Sequence, residues 1–250
     1  MGAQRPCREG TVSNADPARA AVEPAFTRDQ LRNGELDALL RSLPPGVRVR
    51  TQEELRESLD STLRDHPSEE DVHVFGYGSL MWNPAIEHAD AIKARIRCWH
   101  RRFCLRMTFG RGSPAIPGVM LGLDRGGSCD GLLLRIPAEK SYGELQLLWK
   151  REMATGAYEA KWVTAMAAGR QVRALAFVVN RRHDRYIGGL PLDQIAGMIS
   201  TGQGVLGSSL SYFESTLQSL AALGIRDAGM ERLQREIVRS LGGKEKPRRR

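Results

Sequence analysis

Apolar residues recur at helical spacing towards both ends of the chain and alternate with polar residues in its middle. The helical spacing predicts α-helices over residues 27–43, 51–65, 137–153, 191–200, 208–222 and 227–241. The alternation predicts β-strands over residues 72–75, 88–98, 101–109, 119–123, 131–136, 158–164 and 171–179. Many short strands between helical ends favour an α+β fold with a compact, strongly curved sheet or a small barrel.

Changes in composition along the chain suggest three segments. Residues 1–70 are expected to form a leader and a helical extension, residues 71–242 the main domain and residues 243–250 a basic tail. The leader is small, polar and punctuated by proline, which predicts disorder. The extension contains a capping box, Thr51 with Glu54 three residues later, and is expected to dock on the main domain without contributing chemistry.

Composition limits the class of protein. The chain has 250 residues, of which 41% are hydrophobic, and it lacks both a run of 18 apolar residues and a signal-peptide pattern. A cytoplasmic protein without a membrane partner is therefore expected. The five histidines are scattered and the four cysteines form no C-x-x-C pair, so neither a disulfide framework nor a metal site is predicted. The cysteines, expected to be reduced thiols, are Cys7, Cys98, Cys104 and Cys129.

The net charge of +8 raises the question of nucleic-acid binding. The tail carries five positive charges and one negative charge, and its net charge of +4 is half of the total. A second group of arginines falls in predicted strands, where alternate positions face solvent: Arg95, Arg97, Arg101, Arg102 and Arg106. A solvated basic face is favoured over a nucleic-acid groove, so no nucleic-acid partner is expected. A positive field also suits acidic small molecules.

The first candidate binding element follows the strand at residues 72–75. The chain continues as Gly76, Tyr77, Gly78, Ser79 and Leu80. Glycines at the end of a strand leave backbone N–H groups open to the oxygens of a ligand. The same Gly-X-Gly pattern also occurs in ordinary turns, so the pattern alone leaves both interpretations open.

Two familiar site patterns fail on their context. Residues 202–207, G-Q-G-V-L-G, match the spacing of a dinucleotide-binding loop, but a predicted helix precedes them where that motif needs a strand. A glycine-rich loop between two helices is the better interpretation. Ser79 does not lie in a G-x-S-x-G motif, and the sequence spacing indicates no histidine as its catalytic partner, so a hydrogen-bonding role is favoured over a nucleophilic one.

Glu152 is the most informative carboxylate. It falls near the C-terminal end of a largely apolar predicted helix, where the helix dipole disfavours an anion, and it is flanked by Trp149 and Met153. Such a position predicts a raised pKa, which suits proton transfer near neutral pH. The alternative is an ion pair on a solvated surface. Tyr158 and Tyr212 are either core aromatics or hydroxyl donors to a ligand.

Several motifs together resemble the ChaC family of glutathione-specific γ-glutamylcyclotransferases, particularly its bacterial members. The resemblance covers about residues 71–242, with Ala160 and Ser209 standing where the family usually has proline and asparagine. The motifs are V-F-G-Y-G-S-L-M-W-N-P at 74–84, R-R-F at 101–103, P-G-V at 117–119, R-E-M-x-x-G-x-Y-x-x-x-W at 151–162 and S-Y-F at 211–213. The resemblance implies a γ-glutamylcyclotransferase-like fold, a small mixed β-barrel with flanking helices.

The resemblance also implies a function, the cleavage of glutathione to 5-oxoproline and Cys-Gly without a cofactor. It implies that Glu152 is the catalytic acid/base. The implied substrate-binding residues are Val74, Phe75, Gly76, Tyr77, Gly78, Ser79, Leu80, Tyr158 and Tyr212. A cyclotransferase for another γ-glutamyl amide and a non-catalytic γ-glutamyl-binding regulator linked to cation transport remain alternatives, and the oligomeric state is left open.

Overall fold

The computed structural model describes residues 26–43 and 46–242. The predicted leader at 1–25 and the predicted basic tail at 243–250 lie outside these residues. The helices within them are α1 Arg28–Arg32, α2 Glu35–Arg41, α3 Gln52–Leu63, α4 Ala138–Leu148, α5 Leu192–Thr201, α6 Ser209–Ala222 and α7 Ala228–Gly242. The strands are β1 Val72–Gly76, β2 Asp90–Met107, β3 Gly118–Ile136, β4 Tyr158–Ala167, β5 Arg170–Val179, β6 Gln203–Gly204 and β7 Gly207–Ser208.

Strands β1 to β5 close into a barrel in the order β1-β3-β2-β4-β5. Strand β1 runs antiparallel to β3 and closes the barrel by a parallel pairing with β5 at Val74 and Leu175. The interior of so small a barrel is filled by side chains, and the cross-strand pair of Phe75 and Leu133, which share one face, is fully buried. The predicted α+β architecture is therefore confirmed.

Two long strands replace four predicted short ones. Strand β2 runs through the predicted gap near residue 98, where Cys98 adopts a φ of 68° and the pairing with β3 shifts register. Strand β3 runs through the expected turn, because Gly126 and Gly127 have φ values of 102° and 68° and absorb the irregularity. The prediction of separate strands was wrong, since signals typical of turns here mark bulges inside one ribbon.

The helix predicted over residues 27–43 is also divided. Helix α1 begins after the cap Thr27, and α2 begins after Gly34, whose φ of 80° is the left-handed conformation that glycine tolerates best. The capping box of Thr51 with Glu54 is confirmed at the start of α3.

The helix predicted over residues 137–153 ends early. Helix α4 stops at Leu148, and the chain continues as one π-helical turn, Trp149–Met153. A π-helical turn aims its side chains differently from an α-helix, and such turns are frequent at functional sites. The glycine-rich segment at 202–207 lies between α5 and α6, as predicted, and forms the small β6-β7 ribbon.

Candidate active site

One cavity of about 170 Å³ lies at the end of β1. It collects predicted site residues from distant parts of the chain: Tyr77, Gly78, Ser79, Leu80, Glu152, Tyr158 and Tyr212. Val74, Phe75 and Gly76 do not line it. The side chains of Val74 and Phe75 are fully buried on opposite faces of β1, so these three residues anchor the loop, and the binding role that the resemblance implies for them stays a prediction.

The loop at the end of β1 turns sharply into a 3₁₀ turn, Ser79–Met81. Close contacts favour glycine at both positions. A Cβ atom at Gly76 would lie 3.1 Å from the Cβ of Leu80, and one at Gly78 would lie 3.0 Å from the hydroxyl oxygen of Tyr212. The first N–H groups of a helical turn have no acceptor within the turn, and Gly78, Ser79 and Leu80 all line the cavity, so their N–H groups are candidate donors to a ligand.

Two arginine side chains hold this loop in place. Arg101 donates from Nε to the carbonyl oxygen of Tyr77 at 2.6 Å and pairs with Asp227 at 2.6 Å. Arg151 donates from Nη2 to the hydroxyl of Ser79 at 2.8 Å. Sequence reasoning placed Arg101 in a partly exposed strand, but its side chain is fully buried and fixes the loop backbone.

Glu152 lies in the π-helical turn and faces the cavity. Burial raises the pKa of its carboxyl group, and the charge of Arg151 opposes that rise. The Nε of Arg151 is 3.2 Å from Oε1 of Glu152, and their side chains are 11% and 15% exposed. The ion pair considered as an alternative therefore exists, but inside the cavity and not on a solvated surface.

Two of the cavity tyrosines are fixed through their hydroxyl groups. Tyr77 donates to the carbonyl oxygen of Phe177 at 2.8 Å, and Tyr158 donates to that of Leu121 at 2.6 Å. Burial raises the pKa of both hydroxyl groups well above its ordinary value. Each phenol therefore stays neutral near pH 7, and its oxygen remains able to accept a further hydrogen bond from a ligand.

Tyr212 connects the loop with the far side of the cavity. Burial and the charge of Glu152 raise its pKa to about 12, while its hydrogen bond with Ser79 acts in the opposite direction. Its ring packs at 5.5 Å from that of Trp82 and lies 5.3 Å from the guanidinium carbon of Arg111. Tyr212 is therefore buried as a core aromatic would be, while its hydroxyl lies beside Gly78 in the cavity. Its role as a hydroxyl donor to a ligand stays a prediction.

The cavity has an excess of positive charge. Among the described residues that line it, Glu152 is the one acidic side chain, whereas Arg111, Arg151 and Arg185 are basic. Desolvation lowers the pKa of Arg111 and of Arg185, which indicates how poorly water reaches these guanidinium groups. The site therefore suits an anionic ligand. Sequence reasoning considered Arg151 as a neighbour of Glu152 but did not single out Arg111 or Arg185, because nothing local distinguishes them from surface arginines.

The helical extension contributes an apolar wall. Its residues that line the cavity are Phe26, Leu36, Leu39, Leu40 and Leu43. Arg28 forms an ion pair with the buried carboxylate of Glu144 on α4, and Asn83 donates to the carbonyl oxygen of Phe26 at 2.9 Å. Docking of the extension was predicted, but its contribution to the cavity was not.

A closed mixed barrel with a glycine loop and a buried carboxylate at one cavity defines a protein of the γ-glutamylcyclotransferase-like fold. A glutathione-specific γ-glutamylcyclotransferase from yeast has this fold, with a TM-score of 0.63 at 21% identity over 68% of this chain and 96% of the yeast chain. The chain belongs to the ChaC-like family, whose model, described as ChaC-like protein, matches residues 72–240. The predicted family and fold are therefore confirmed.

Curated relatives are similar over much of the chain. The glutathione-specific γ-glutamylcyclotransferase of Escherichia coli (strain K12) is 40% identical over 209 residues, 83% of this chain and 90% of the relative. Glutathione-specific γ-glutamylcyclotransferase 1 of Homo sapiens is 34% identical over 144 residues, 56% of this chain and 65% of the relative. Both relatives are enzymes.

Two further features of residues 26–43 and 46–242 bear on the class of protein. None of the helices there combines the length and the apolar character needed to cross a bilayer. The same residues contain no group of three or more His, Cys, Asp or Glu side chains arranged to hold a metal ion.

Proposed function

We propose that this chain is a glutathione-specific γ-glutamylcyclotransferase, which converts glutathione to 5-oxoproline and Cys-Gly. One observation carries the proposal. Glu152, a carboxylate with a pKa raised by burial, lines the same cavity as Tyr77, Gly78, Ser79 and Leu80, so a candidate proton carrier and a set of candidate backbone donors share one site. The names of the E. coli and human relatives give the same activity for those proteins.

In the proposed reaction the substrate supplies its own nucleophile. The α-amine nitrogen of the γ-glutamyl group attacks its γ-carbonyl carbon and forms the C–N bond of a five-membered ring. Cleavage of the amide bond to the cysteine nitrogen then releases Cys-Gly. Glu152 takes a proton from the attacking nitrogen and returns it to the leaving nitrogen, so atoms and charge balance without an external reactant. No cofactor is needed for these steps, and its absence remains a prediction.

The cavity supports this reaction by restricting the substrate. A free γ-glutamyl chain seldom brings its amine against its own carbonyl, and holding it folded contributes on the order of several kcal/mol to the rate. The backbone N–H groups at Gly78, Ser79 and Leu80 are suitable donors for the oxyanion that develops on the γ-carbonyl oxygen. Tyr158 and Tyr212 flank the carboxylate and, being neutral, can hydrogen-bond the γ-glutamyl group without competing for its protons.

The position of Arg151 fits a supporting role. It holds Ser79 through Nη2 at 2.8 Å and Glu152 through Nε at 3.2 Å, so one side chain fixes the distance between the loop and the proton carrier. Its remaining nitrogen, Nη1, donates to the carbonyl oxygen of Asn83 at 2.7 Å. Because every nitrogen already has a protein partner, Arg151 positions the site and is a poor candidate for binding substrate directly.

The proposed substrate also bears on the location and the partners of the protein. Glutathione is a small cytoplasmic thiol, so a cytoplasmic location without a nucleic-acid or membrane partner accompanies the proposal.

The test is turnover of two substrates by the purified protein. Glutathione and γ-glutamyl-alanine are incubated separately, and 5-oxoproline and the released peptide or amino acid are quantified. Production of 5-oxoproline and Cys-Gly from glutathione, with little turnover of γ-glutamyl-alanine, supports the proposal. Turnover of γ-glutamyl-alanine alone reassigns the substrate to another γ-glutamyl amide. Turnover of neither compound refutes the enzymatic function and leaves the non-catalytic alternative.

A further inference from the structure

Arg111 is a buried cation that lacks a counter-ion. The residue is 7% exposed, lines the cavity and makes no ion pair with a carboxylate among the described residues. Its protein hydrogen bonds all use Nη1, which donates to the carbonyl oxygen of Ser208 at 3.1 Å and to the hydroxyl of Ser211 at 3.2 Å. The other side of the guanidinium group, Nε and Nη2, is therefore left for a ligand. An unpaired buried charge is costly, which favours a functional role over a purely structural one.

Close backbone contacts and hydrogen bonds fix the loop that carries Arg111. A Cβ atom at Gly112 would lie 2.1 Å from the carbonyl oxygen of Met107, and one at Gly118 would lie 2.1 Å from the hydroxyl of Ser209. Ser209 donates that hydroxyl to the carbonyl oxygen of Arg111 at 2.9 Å and accepts a hydrogen bond from the N–H of Val119 at 3.1 Å. The serine that departs from the usual family residue thus fixes the loop of Arg111.

The glycine-rich segment at 202–207 supplies the second support. A Cβ atom at Gly204 would lie 2.2 Å from the carbonyl oxygen of Gly110, and the N–H of Leu206 donates to the same oxygen at 2.8 Å. The segment therefore needs glycine in order to approach the loop of Arg111, and not in order to bind a dinucleotide. Two glycine-bearing loops pack on each other and give the guanidinium group a defined position.

The distance of Arg111 from the loop at Gly78 suits one end of the substrate. Tyr212 lies between them, with its ring 5.3 Å from the guanidinium carbon of Arg111 and its hydroxyl beside Gly78. If the γ-carbonyl is bound at the loop, the two residues of the leaving group extend about 7 Å from it, which is the span of two extended residues. One tyrosine side chain covers a comparable distance.

We propose that Arg111 binds the carboxylate at the glycine end of glutathione and is therefore a specificity-determining residue for the Cys-Gly leaving group. The inference rests on the proposed function. Arg151 is excluded because its nitrogens are already used within the site. Arg185 also lines the cavity, and its Nε is buried without a hydrogen-bond partner among the described residues. Its Nη2 donates to the hydroxyl of Thr155 at 2.7 Å and its Nη1 contacts the Sδ of Met107 at 3.7 Å, so Arg185 leaves fewer nitrogens for a carboxylate than Arg111 does.

The test compares three substrates that differ by one carboxylate. Glutathione has both carboxylates, its glycine monoethyl ester lacks the charge at the glycine end, and 4-aminobutyryl-Cys-Gly lacks the α-carboxylate but keeps the attacking amine. The kcat/KM of each is measured for the wild type and for Arg111→Gln, Arg111→Lys and Arg185→Gln. Arg106→Gln, an exposed arginine on neighbouring β2, is the matched control.

The wild type is expected to prefer glutathione over its ester by about tenfold to a hundredfold, the effect of one charge-assisted pair. Arg111→Gln should reduce this preference to near unity, mainly through KM, and Arg111→Lys should retain part of it. The preference for glutathione over 4-aminobutyryl-Cys-Gly should survive in Arg111→Gln. The control variant should behave as the wild type, and thermal unfolding verifies that each variant is folded.

Three results would overturn the assignment. The first is an ester preference that Arg111→Gln leaves intact. The second is an ester preference that disappears in Arg185→Gln and not in the Arg111 variants. The third is loss of discrimination at the α-carboxylate instead of the glycine carboxylate. Each requires that the wild type turns over glutathione, so a failure of the proposed function, in which no protein shows turnover, is distinguishable from a failure of this inference.

Discussion

Replacing Glu152 with glutamine tests the proton carrier and the physical cause of its pKa in one variant. The substitution keeps the size of the side chain and leaves an oxygen that can face Arg151 at the observed 3.2 Å. An amide cannot accept the proton of the attacking amine near neutral pH. A positioned acid/base contributes about 10²- to 10⁴-fold to a rate, so kcat should fall by at least about 10²-fold. Because glutamine still fills the cavity, KM should change much less.

The same variant should be more stable than the wild type at neutral pH. Burial raises the pKa of Glu152 above its ordinary value of 4.5, so the ionised form is disfavoured in the folded protein. Above that ordinary value the unfolded chain ionises while the folded one stays protonated, so the wild type loses stability as pH rises from the ordinary pKa towards the raised pKa, and loses no more above it. Each unit of elevation corresponds to about 1.4 kcal/mol, and each kcal/mol shifts Tm by about 2–4 °C for a chain of this size.

The assay therefore has two readouts. Release of 5-oxoproline and Cys-Gly from glutathione gives kcat and KM, and thermal unfolding at pH 4 and pH 8 gives the stability difference. The difference should be present at pH 8 and nearly absent at pH 4. Glu159→Gln is the control, because Glu159 lies outside the cavity and pairs with Lys161 at 3.1 Å. An active Glu152→Gln variant would place the proton carrier elsewhere, and a variant less stable at pH 8 would contradict burial as the cause of the raised pKa.

Three further changes test other parts of the site. Arg151→Gln removes the charge that opposes the raised pKa of Glu152, so that pKa should rise further. The rising limb of kcat/KM against pH should therefore move to higher pH. A limb that stays in place or moves to lower pH contradicts this expectation. Leu40→Ala removes part of the apolar wall and should raise KM for glutathione roughly threefold to tenfold with kcat little changed. An unchanged KM would show that the wall does not contribute to substrate binding. Gly204→Ala places a Cβ 2.2 Å from the carbonyl oxygen of Gly110 and should weaken the preference for glutathione over its glycine ester. Gly197→Ala, which meets nothing within 4 Å, should not weaken it.

The parts of the site that could be predicted from sequence are those with a local signature. Glycines after a strand predict a loop with open N–H groups, and a carboxylate among apolar residues near a helix end predicts a raised pKa. Both Gly78 and Glu152 line the cavity, and burial does raise the pKa of Glu152. The π-helical turn at Glu152 was not predictable, because a one-residue insertion in a helix leaves hardly any trace in the apolar pattern.

Other parts depend on tertiary contacts that no local pattern carries. Arg101 and Arg102 are adjacent on β2, yet the first side chain is fully buried and the second is 39% exposed. Alternation predicts that one of them faces inward, but not that it holds the carbonyl of Tyr77 some 24 positions away. The leucine spacing of α2 likewise predicts an amphipathic helix, but not the surface on which that helix packs. Their place in the cavity depends on contacts across the fold, among them the ion pair of Asp37 on α2 with Lys150 in the π-helical turn.

The charges of the cavity also explain why the site is built from buried groups at some cost in stability. A poorly hydrated carboxylate and poorly hydrated guanidinium groups destabilise the folded protein, since burial disfavours the charged form of each. Binding of an anionic substrate would reverse part of that cost, because a carboxylate would supply a counter-ion to Arg111, which pairs with no carboxylate among the described residues. Substrate binding should therefore stabilise the fold beyond what apolar contact alone provides. The low polarity that raises the pKa of Glu152 also strengthens the electrostatic attraction between Arg111 and a substrate carboxylate.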